Sequence, residues 1–294
     1  MWLKFLLIAF LSTSLLGAFV LVPQQKLSRH NSDISDDERR SPEEERLRLM
    51  SWNIGNGDLE SETRAHAEDL PAVAQVIMDN DTDAVAIQEL TGKDQLKLLL
   101  AYLKDRYAGY VCSPGSADRV DAVLVKNSRG NKTPGGDNDH SVNFSDVPAG
   151  DRFAAAATFS LHRDLHEIVL VSAHADAFSA SRRRAFAADV VDWAKGRSKS
   201  ATVFVAGDFN LEVSIQSQSN LFTDDAKHDS ESYAYLLKYF RDLGREAGET
   251  SINDRRIDYI FGPPKTVSVL RAEVLRGAAV GRMDHWPLLV EVAL

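Results

Sequence analysis

Apolar runs that stop at a polar residue recur along this chain. The clearest is Thr202 to Asn210, T-V-F-V-A-G-D-F-N, where valine, phenylalanine and alanine lead into a glycine and then into Asp208 and Asn210. Such a run predicts a strand buried on both faces, with the polar pair at its carboxyl end. Residues two apart point to one side of an extended chain, so one carboxylate and one amide can reach a common ligand. An Asx turn closing the strand is the plainer reading of the same letters.

The same grammar organises the rest. Leu47 to Ile54 alternates and ends before Gly55-Asn56-Gly57, which predicts a strand and a turn with Asn53 at the strand end. Arg64 to Asp79 reads as a helix, and Thr82 to Leu90 as an apolar strand that ends in Glu89. Gln95 to Tyr107 is a predicted helix, followed by short strands at Tyr110 to Cys112 and Val120 to Lys126. Asn127 to Gly150 is rich in Gly, Asn, Asp and Pro and predicts a long surface loop or flap. Arg152 to Leu161 and Glu167 to Ala173 read as paired strands, the second running into His174 and Asp176. A helix is expected over Ala180 to Lys195, with Arg182, Arg183 and Arg184 as solvated charges in its first turn. A polar loop from Leu211 to Asp229 and a helix from Glu231 to Leu243 follow. Arg256 to Phe261 alternates as a half-buried strand that sets Asp258 among apolar neighbours, where an ionised carboxylate is costly unless paired. Thr266 to Leu275 is another strand, and Met283 to Val292 places Asp284 and His285 just ahead of a closing one.

The amino terminus breaks this pattern. Phe5 to Val22 carries no charge and follows Lys4, so residues 1–23 are expected to be an N-terminal hydrophobic helix, either a membrane anchor or a signal peptide read by the export machinery. Residues 24–46 are polar and charge-dense and predict a solvated linker. Residues 47–294 would then form one catalytic domain lying outside the cytoplasm.

Composition narrows the chemistry. A net charge of -9 argues against a broad basic surface for polyanions, though not against a local phosphate site built around a metal. The single cysteine, Cys112, excludes an intrachain disulfide framework and a cysteine zinc cluster. If the strand ends meet, one crevice is lined by Asn53, Glu89, His174, Asp208, Asn210, Asp258, Asp284 and His285. That oxygen-rich set with two histidines suits magnesium, manganese or calcium, and is a sensible kit for phosphoester hydrolysis.

In that order, S-W-N-I-G-N, I-Q-E-L, S-A-H-A-D, V-A-G-D-F-N, R-I-D-Y-I-F and M-D-H-W-P-L resemble the successive motifs of the endonuclease/exonuclease/phosphatase superfamily, which includes DNase I-like nucleases and sphingomyelinase-type phosphodiesterases. The resemblance covers Leu47 to Leu294. It implies an α/β four-layered sandwich, two packed mixed sheets with helices outside. It also implies Glu89 as the principal Mg2+ ligand, with Asn53 and Asp284 assisting at the metal. Asp208 and Asn210 would hold the nucleophilic water and a phosphate oxygen, Asp258 would orient His285, and His174 would stand opposite, at the phosphate or the leaving group. Either Asp208 or His285 would be the base. Two positions depart from the pattern: the acidic residue that supports the first histidine in DNase I-like members has only Asp118 or Asp121 to match it, and Asp121 stands where a glycine is usual.

The resemblance thus implies a metal-dependent phosphoester hydrolase, expected to be monomeric. Its two histidines favour nucleic acid as the substrate over a lipid head group, while a non-catalytic scaffold that retains the fold is the reading from another class.

Overall fold

The computed structural model describes residues 45–55, 66–114, 120–129, 142–160, 167–213, 226–252, 254–278 and 283–294. The predicted anchor, the predicted linker up to residue 44, the turn at Asn56 and Gly57, Asp118, and residues 130–141 of the predicted flap lie outside these ranges, while Arg46 at the end of the predicted linker opens the first strand. Among the described residues, no helix is long and apolar enough to cross a membrane.

Apolar strands dictate the architecture, because each of their faces has to be covered. One six-stranded sheet runs in the order β11 (Ser268–Val274), β12 (Leu288–Ala293), β1 (Arg46–Asn53), β2 (Ala84–Leu90), β4 (Val120–Lys126), β3 (Tyr107–Val111). The other runs β5 (Asn143–Ala149), β6 (Arg152–Ser160), β7 (Glu167–His174), β8 (Ala201–Asp208), β10 (Asp258–Gly262), β9 (Arg241–Asp242). Both are mixed: β1 and β2 are parallel, β7 and β8 are parallel, and the other pairings are antiparallel. The sheets pack face to face over a core that includes Leu49, Val123, Leu170 and Phe204, all fully buried. Burying side chains of this size is worth about 1.5–3 kcal/mol each. Polar ties cross the same interface, since Gln88 Nε2 donates to Ser172 Oγ at 2.9 Å and that hydroxyl donates to Ile87 O at 3.0 Å.

Helices α1 (Leu70–Asp79) and α2 (Lys93–Tyr102) belong to the first sheet; α3 (Ala180–Arg197) and α4 (Ala226–Leu236) cover the second. Four layers result, as the resemblance implies. In α3, Phe186, Ala187, Val190, Val191 and Ala194 form the buried stripe against β5 and β8.

Several predicted boundaries move, each for a local reason. The helix read from Arg64 begins at Leu70, with Pro71 in its first turn, where a missing N–H costs nothing. The helix read to Tyr107 stops at Tyr102, because Lys104 and Asp105 take positive φ (55° and 52°) and Tyr107 pairs with Lys126. The helix read over Glu231 to Leu243 spans Ala226 to Leu236 instead, and Arg241 and Asp242 are drawn into pairing with β10. Part of the predicted flap is the edge strand β5, which tolerates Pro148 because its outer N–H positions have no partner strand.

Candidate functional site

The parallel pairs fix the site. β1 and β2 end together, as do β7 and β8, whose register sets His174 beside Asp208. β10 returns antiparallel with Asp258 opposite Asp208. Five strand ends therefore deliver Asn53, Glu89, His174, Asp208 and Asp258 to one place, and all five side chains are buried. That is the crevice outside the carboxyl ends of strands where α/β sheets hold their chemistry.

Two glycines make this closeness possible. A Cβ on Gly207 would overlap the Ala173 carbonyl oxygen, and its φ of 150° is one that side chains rarely adopt. A Cβ on Gly55 would overlap the Glu89 carboxylate. Glu89 itself has φ 68°, at the point where the β2–β4 register shifts between Ile87 and Leu90. Such a conformation costs a non-glycine residue on the order of 1–2 kcal/mol, and here it redirects a carboxylate into the site.

Asp208 is the hub. Its Oδ2 accepts from Asn53 Nδ2 at 3.1 Å and is approached by His174 Nε2 at 3.7 Å and His285 Nε2 at 3.8 Å. Its Oδ1 accepts the Asn210 N–H at 2.8 Å, an Asx turn that coexists with the site rather than replacing it. Asn210 adopts φ 51° and sends Nδ2 to Ala175 O at 3.2 Å. Asn53 faces the carboxylates through its nitrogen, which also donates to Glu89 Oε1 at 3.2 Å, while its Oδ1 accepts the Gly55 N–H at 2.9 Å. In this geometry Asn53 clamps Glu89 to Asp208.

His285 Nδ1 lies 2.8 Å from Asp258 Oδ2, as expected of an oriented imidazole. Burial opposes its charged form, yet Asp258, Asp208 and Asp284 outweigh burial and raise its pKa to about 10. Asp284 is half-buried, with Oδ1 4.0 Å from His285 Nε2. Trp52 is fully buried and donates Nε1–H to His285 O at 3.2 Å, holding the loop that carries the imidazole. Trp286 is half-buried with the Arg276 guanidinium 5.0 Å from its ring centre.

Asp121 belongs to this cluster. It is buried, with Oδ1 3.9 Å from His174 Nδ1. Burial pushes its carboxyl well above the ordinary range; Arg152 opposes that, and Glu89 and Asp208 reinforce it. Asp121 thus occupies the supporting position that the motif pattern leaves ambiguous, and Asp118 lies outside the described residues. A carboxylate at the head of an apolar strand was the available signal, the same one that marked Asp258.

The donor set fits a divalent cation. Asp208, Asp258 and His285 offer ligand atoms within 4.8 Å of one another, and Asp258 Oδ1 is buried without a hydrogen-bond partner. Because Asp258 Oδ2 is already committed to His285, Glu89 and Asp208, clamped by Asn53, are the oxygens better placed to hold an ion. Packing Glu89, Asp121 and Asp208 together in a buried site without a counter-cation is unfavourable, which is a further reason to expect one.

Two other features frame the site. Asp176 accepts N–H groups from Phe178 and Ser179, both at 2.8 Å, and meets Arg152 at 3.3 Å and Arg182 at 3.4 Å. Burial works against its charge but these donors prevail and hold its pKa below the ordinary value. Arg183 is not solvated as its sequence suggests: it is fully buried against Asp229 at 2.8 Å. Arg182 and Arg184 are exposed, and Arg184 pairs with Glu231.

Known proteins share this fold. A model of the Endonuclease/Exonuclease/phosphatase family matches residues 50–281. Among solved structures, the endonuclease/exonuclease/phosphatase from Bacteroides vulgatus superposes with TM-score 0.64 at 19% identity, covering 85% of this chain and 99% of that one. The Bacteroides thetaiotaomicron mannosyl-6-phosphatase gives 0.64 at 19%, covering 84% and 100%. The human nocturnin catalytic domain with bound sulfate gives 0.63 at 17%, covering 84% and 94%. Identities this low show a common fold. Comparison with curated protein sequences finds no significant match.

Proposed function

The chain belongs to the endonuclease/exonuclease/phosphatase family, and on that premise we propose that it is a magnesium-dependent hydrolase of phosphoester bonds that acts on nucleic acid. The observation that carries this reading is the convergence on Asp208 Oδ2 of two imidazole nitrogens, from His174 and His285, at 3.7 and 3.8 Å. A space bounded by one carboxylate and two imidazoles can seat both an attacking water and a phosphoryl group.

In this mechanism Asp208 takes the proton of the water whose oxygen forms the new bond to phosphorus. His285, fixed by Asp258, presents Nε2–H to a phosphoryl oxygen. His174, backed by Asp121, gives a proton to the leaving oxygen as its bond to phosphorus breaks. Asn210 and Asn53 hold the carboxylates in register. Glu89 and Asp208 would hold a magnesium ion, with Asp284 at its edge; when bound, the ion supplies neutralisation of phosphate charge. The low exposure of the whole group excludes bulk water and strengthens each of these interactions. The uncharged run from Phe5 to Val22 supports an extracytoplasmic location, anchored or secreted.

The test is turnover of plasmid DNA, a dinucleotide phosphodiester and sphingomyelin by the purified chain, with magnesium and then with chelator. Magnesium-dependent cleavage of the first two is expected. Turnover that survives the chelator overturns the metal assignment, preference for sphingomyelin overturns the substrate class, and inertness toward all three favours a scaffold.

A further inference from the structure

The Asp258–His285 pair spans the two sheets. Asp258 heads β10 of one sheet, and His285 lies just ahead of β12 of the other, 27 residues further along. A 2.8 Å bond between side chains from separate sheets keeps its length only if the backbones behind them are held together. Thr250 belongs to neither strand and reaches both. Its hydroxyl oxygen accepts the N–H of Asp258 at 3.1 Å and that of Ile257 at 3.2 Å. Its carbonyl accepts the N–H of Trp286, the residue after His285, at 2.8 Å. The next two residues complete the bridge. Ser251 pairs with both Arg255 and His285, its Oγ donates to Asp284 O at 3.0 Å, and Ile252 N donates to the same carbonyl at 2.9 Å. Thr250 and Asp258 are fully buried and Ile257 nearly so. Buried donors at a strand head need an acceptor, and this one oxygen supplies it to two of them. A β-branched side chain, stiff at χ1, holds that oxygen in place.

From this we infer that Thr250 is a positioning residue for the hydrolysis: it locks Asp258 and the loop carrying His285 in one register, so that the imidazole Nε2 keeps its place beside Asp208. The inference rests on the phosphoester-hydrolase reading of the site and adds the residue that keeps the pair aligned. His285 Nε2 lies 3.8 Å from Asp208 Oδ2, and moving a reacting group by about 1 Å can cost on the order of 100-fold in rate. Trp52 Nε1–H holds His285 O at 3.2 Å from β1, which fixes the loop to its own sheet. Thr250 fixes it to the other.

The test uses the full chain and its Thr250→Val, Thr250→Ser and Thr250→Ala variants. Thr250→Val keeps the shape and removes the oxygen, and Thr250→Ser keeps the oxygen. Thr250→Ala leaves room for a water on the two N–H groups, and it is the arm that decides where the Thr250→Val chain does not fold. Two quantities are followed. One is turnover of a dinucleotide phosphodiester with magnesium; the other is the far-downfield proton resonance of the His285 Nδ1–H bond, assigned by its loss in His285→Ala. Thr250→Val should lower kcat about 10- to 100-fold with little change in KM, and should move or abolish the resonance. Thr250→Ser should keep both near wild type, and Thr250→Ala should fall between. In a His285→Ala background Thr250→Val should cost little more, because it acts through the imidazole. Wild-type kcat and an unmoved resonance in the deciding variant, with only its urea midpoint lowered, show a structural role and overturn the inference. So does an equal loss in the His285→Ala background. If the wild type turns over no phosphodiester, the hydrolase reading fails, and the resonance in Thr250→Val and Thr250→Ser still decides whether Thr250 sets the pair.

Discussion

Nδ1 of His285 lies 2.8 Å from Oδ2 of Asp258, and the two residues come from different elements of a buried site. Asp258 is aligned with Asp208 across the β8–β10 pair, and His285 Nε2 is turned toward that same Asp208. One carboxylate therefore sets the orientation of the imidazole, and the other shares the space its free nitrogen faces.

Replacing Asp258 by Asn keeps the shape and removes the charge that holds Nδ1 protonated. Turnover should drop by about 10²–10⁴, the usual worth of a positioned acid–base group. His285→Ala should drop it comparably, and the double variant should be little worse than either single one, because the two act as a unit. Circular dichroism should show all three folded. Independent, multiplying losses would separate the residues into distinct roles and defeat the pairing.

Asp121 and His174 form a looser version of the same arrangement, at 3.9 Å between Oδ1 and Nδ1. Asp121→Gly restores the residue usual in the motif and removes the carboxylate. If Asp121 acts through His174, this change should lower kcat by about 10-fold or more in a wild-type background and far less in His174→Ala, as coupled neighbours do. Equal losses in both backgrounds would show that Asp121 serves only the packing of β4.

The strand ends were legible because a fully apolar run has to be buried, and the first polar residue after it marks where the sheet stops. That logic located Glu89, His174 and Asp208, while Asn53 closed an alternating strand and Asp258 stood out as a carboxylate among apolar neighbours at the head of β10. It did not give the positive φ of Glu89, which depends on a bulge against β4, nor the contact of Asp121 with His174, which joins strands of opposite sheets. β5 reads as loop because Asp146 and Pro148 interrupt it, yet Tyr110 Oη donates to Asp146 at 2.8 Å and ties that edge to β3. Arg183 looks solvated as the middle of three arginines. Its spacing to Phe186, Ala187 and Val190 nevertheless puts it on the buried helical face, so the information was present in the periodicity.

Cys112 offers a pH-resolved check on the packing beneath the site. Burial, with Asp121 and Asp146 adding repulsion, raises its thiol pKa to about 12 from 9.0. The folded chain keeps the thiol proton where the unfolded chain releases it, so this group's contribution to stability is complete below 9.0 and is lost as pH rises toward about 12. The native protein at pH 8.5 should resist iodoacetamide for hours, and the same protein in guanidinium should be alkylated within minutes. Rapid labelling of the native chain would mean that β3 and β4 open around Asp121.

Arg183 and Asp229 meet at 2.8 Å with both side chains fully buried, and the pair joins α3, α4 and both loops that follow β7 and β8. Arg183 Nη1 holds the carbonyls of Asp176 and Ala177, and Asp229 Oδ2 accepts the Glu212 N–H at 3.3 Å. Removing one partner strands a charge in a dry interior, so Arg183→Met should destabilise the chain by about 3–5 kcal/mol. Combining it with Asp229→Leu should recover part of that loss, because two apolar side chains need no counter-charge. The Glu212 N–H left without an acceptor should keep the recovery incomplete by about 1–3 kcal/mol. Urea unfolding midpoints read all of these values. If Arg183→Met costs under about 1 kcal/mol, water reaches the pair, and the loop after His174 is held by the Asp176 carboxylate and by the bonds of Ala175 to Asp208 and Asn210 rather than by Arg183.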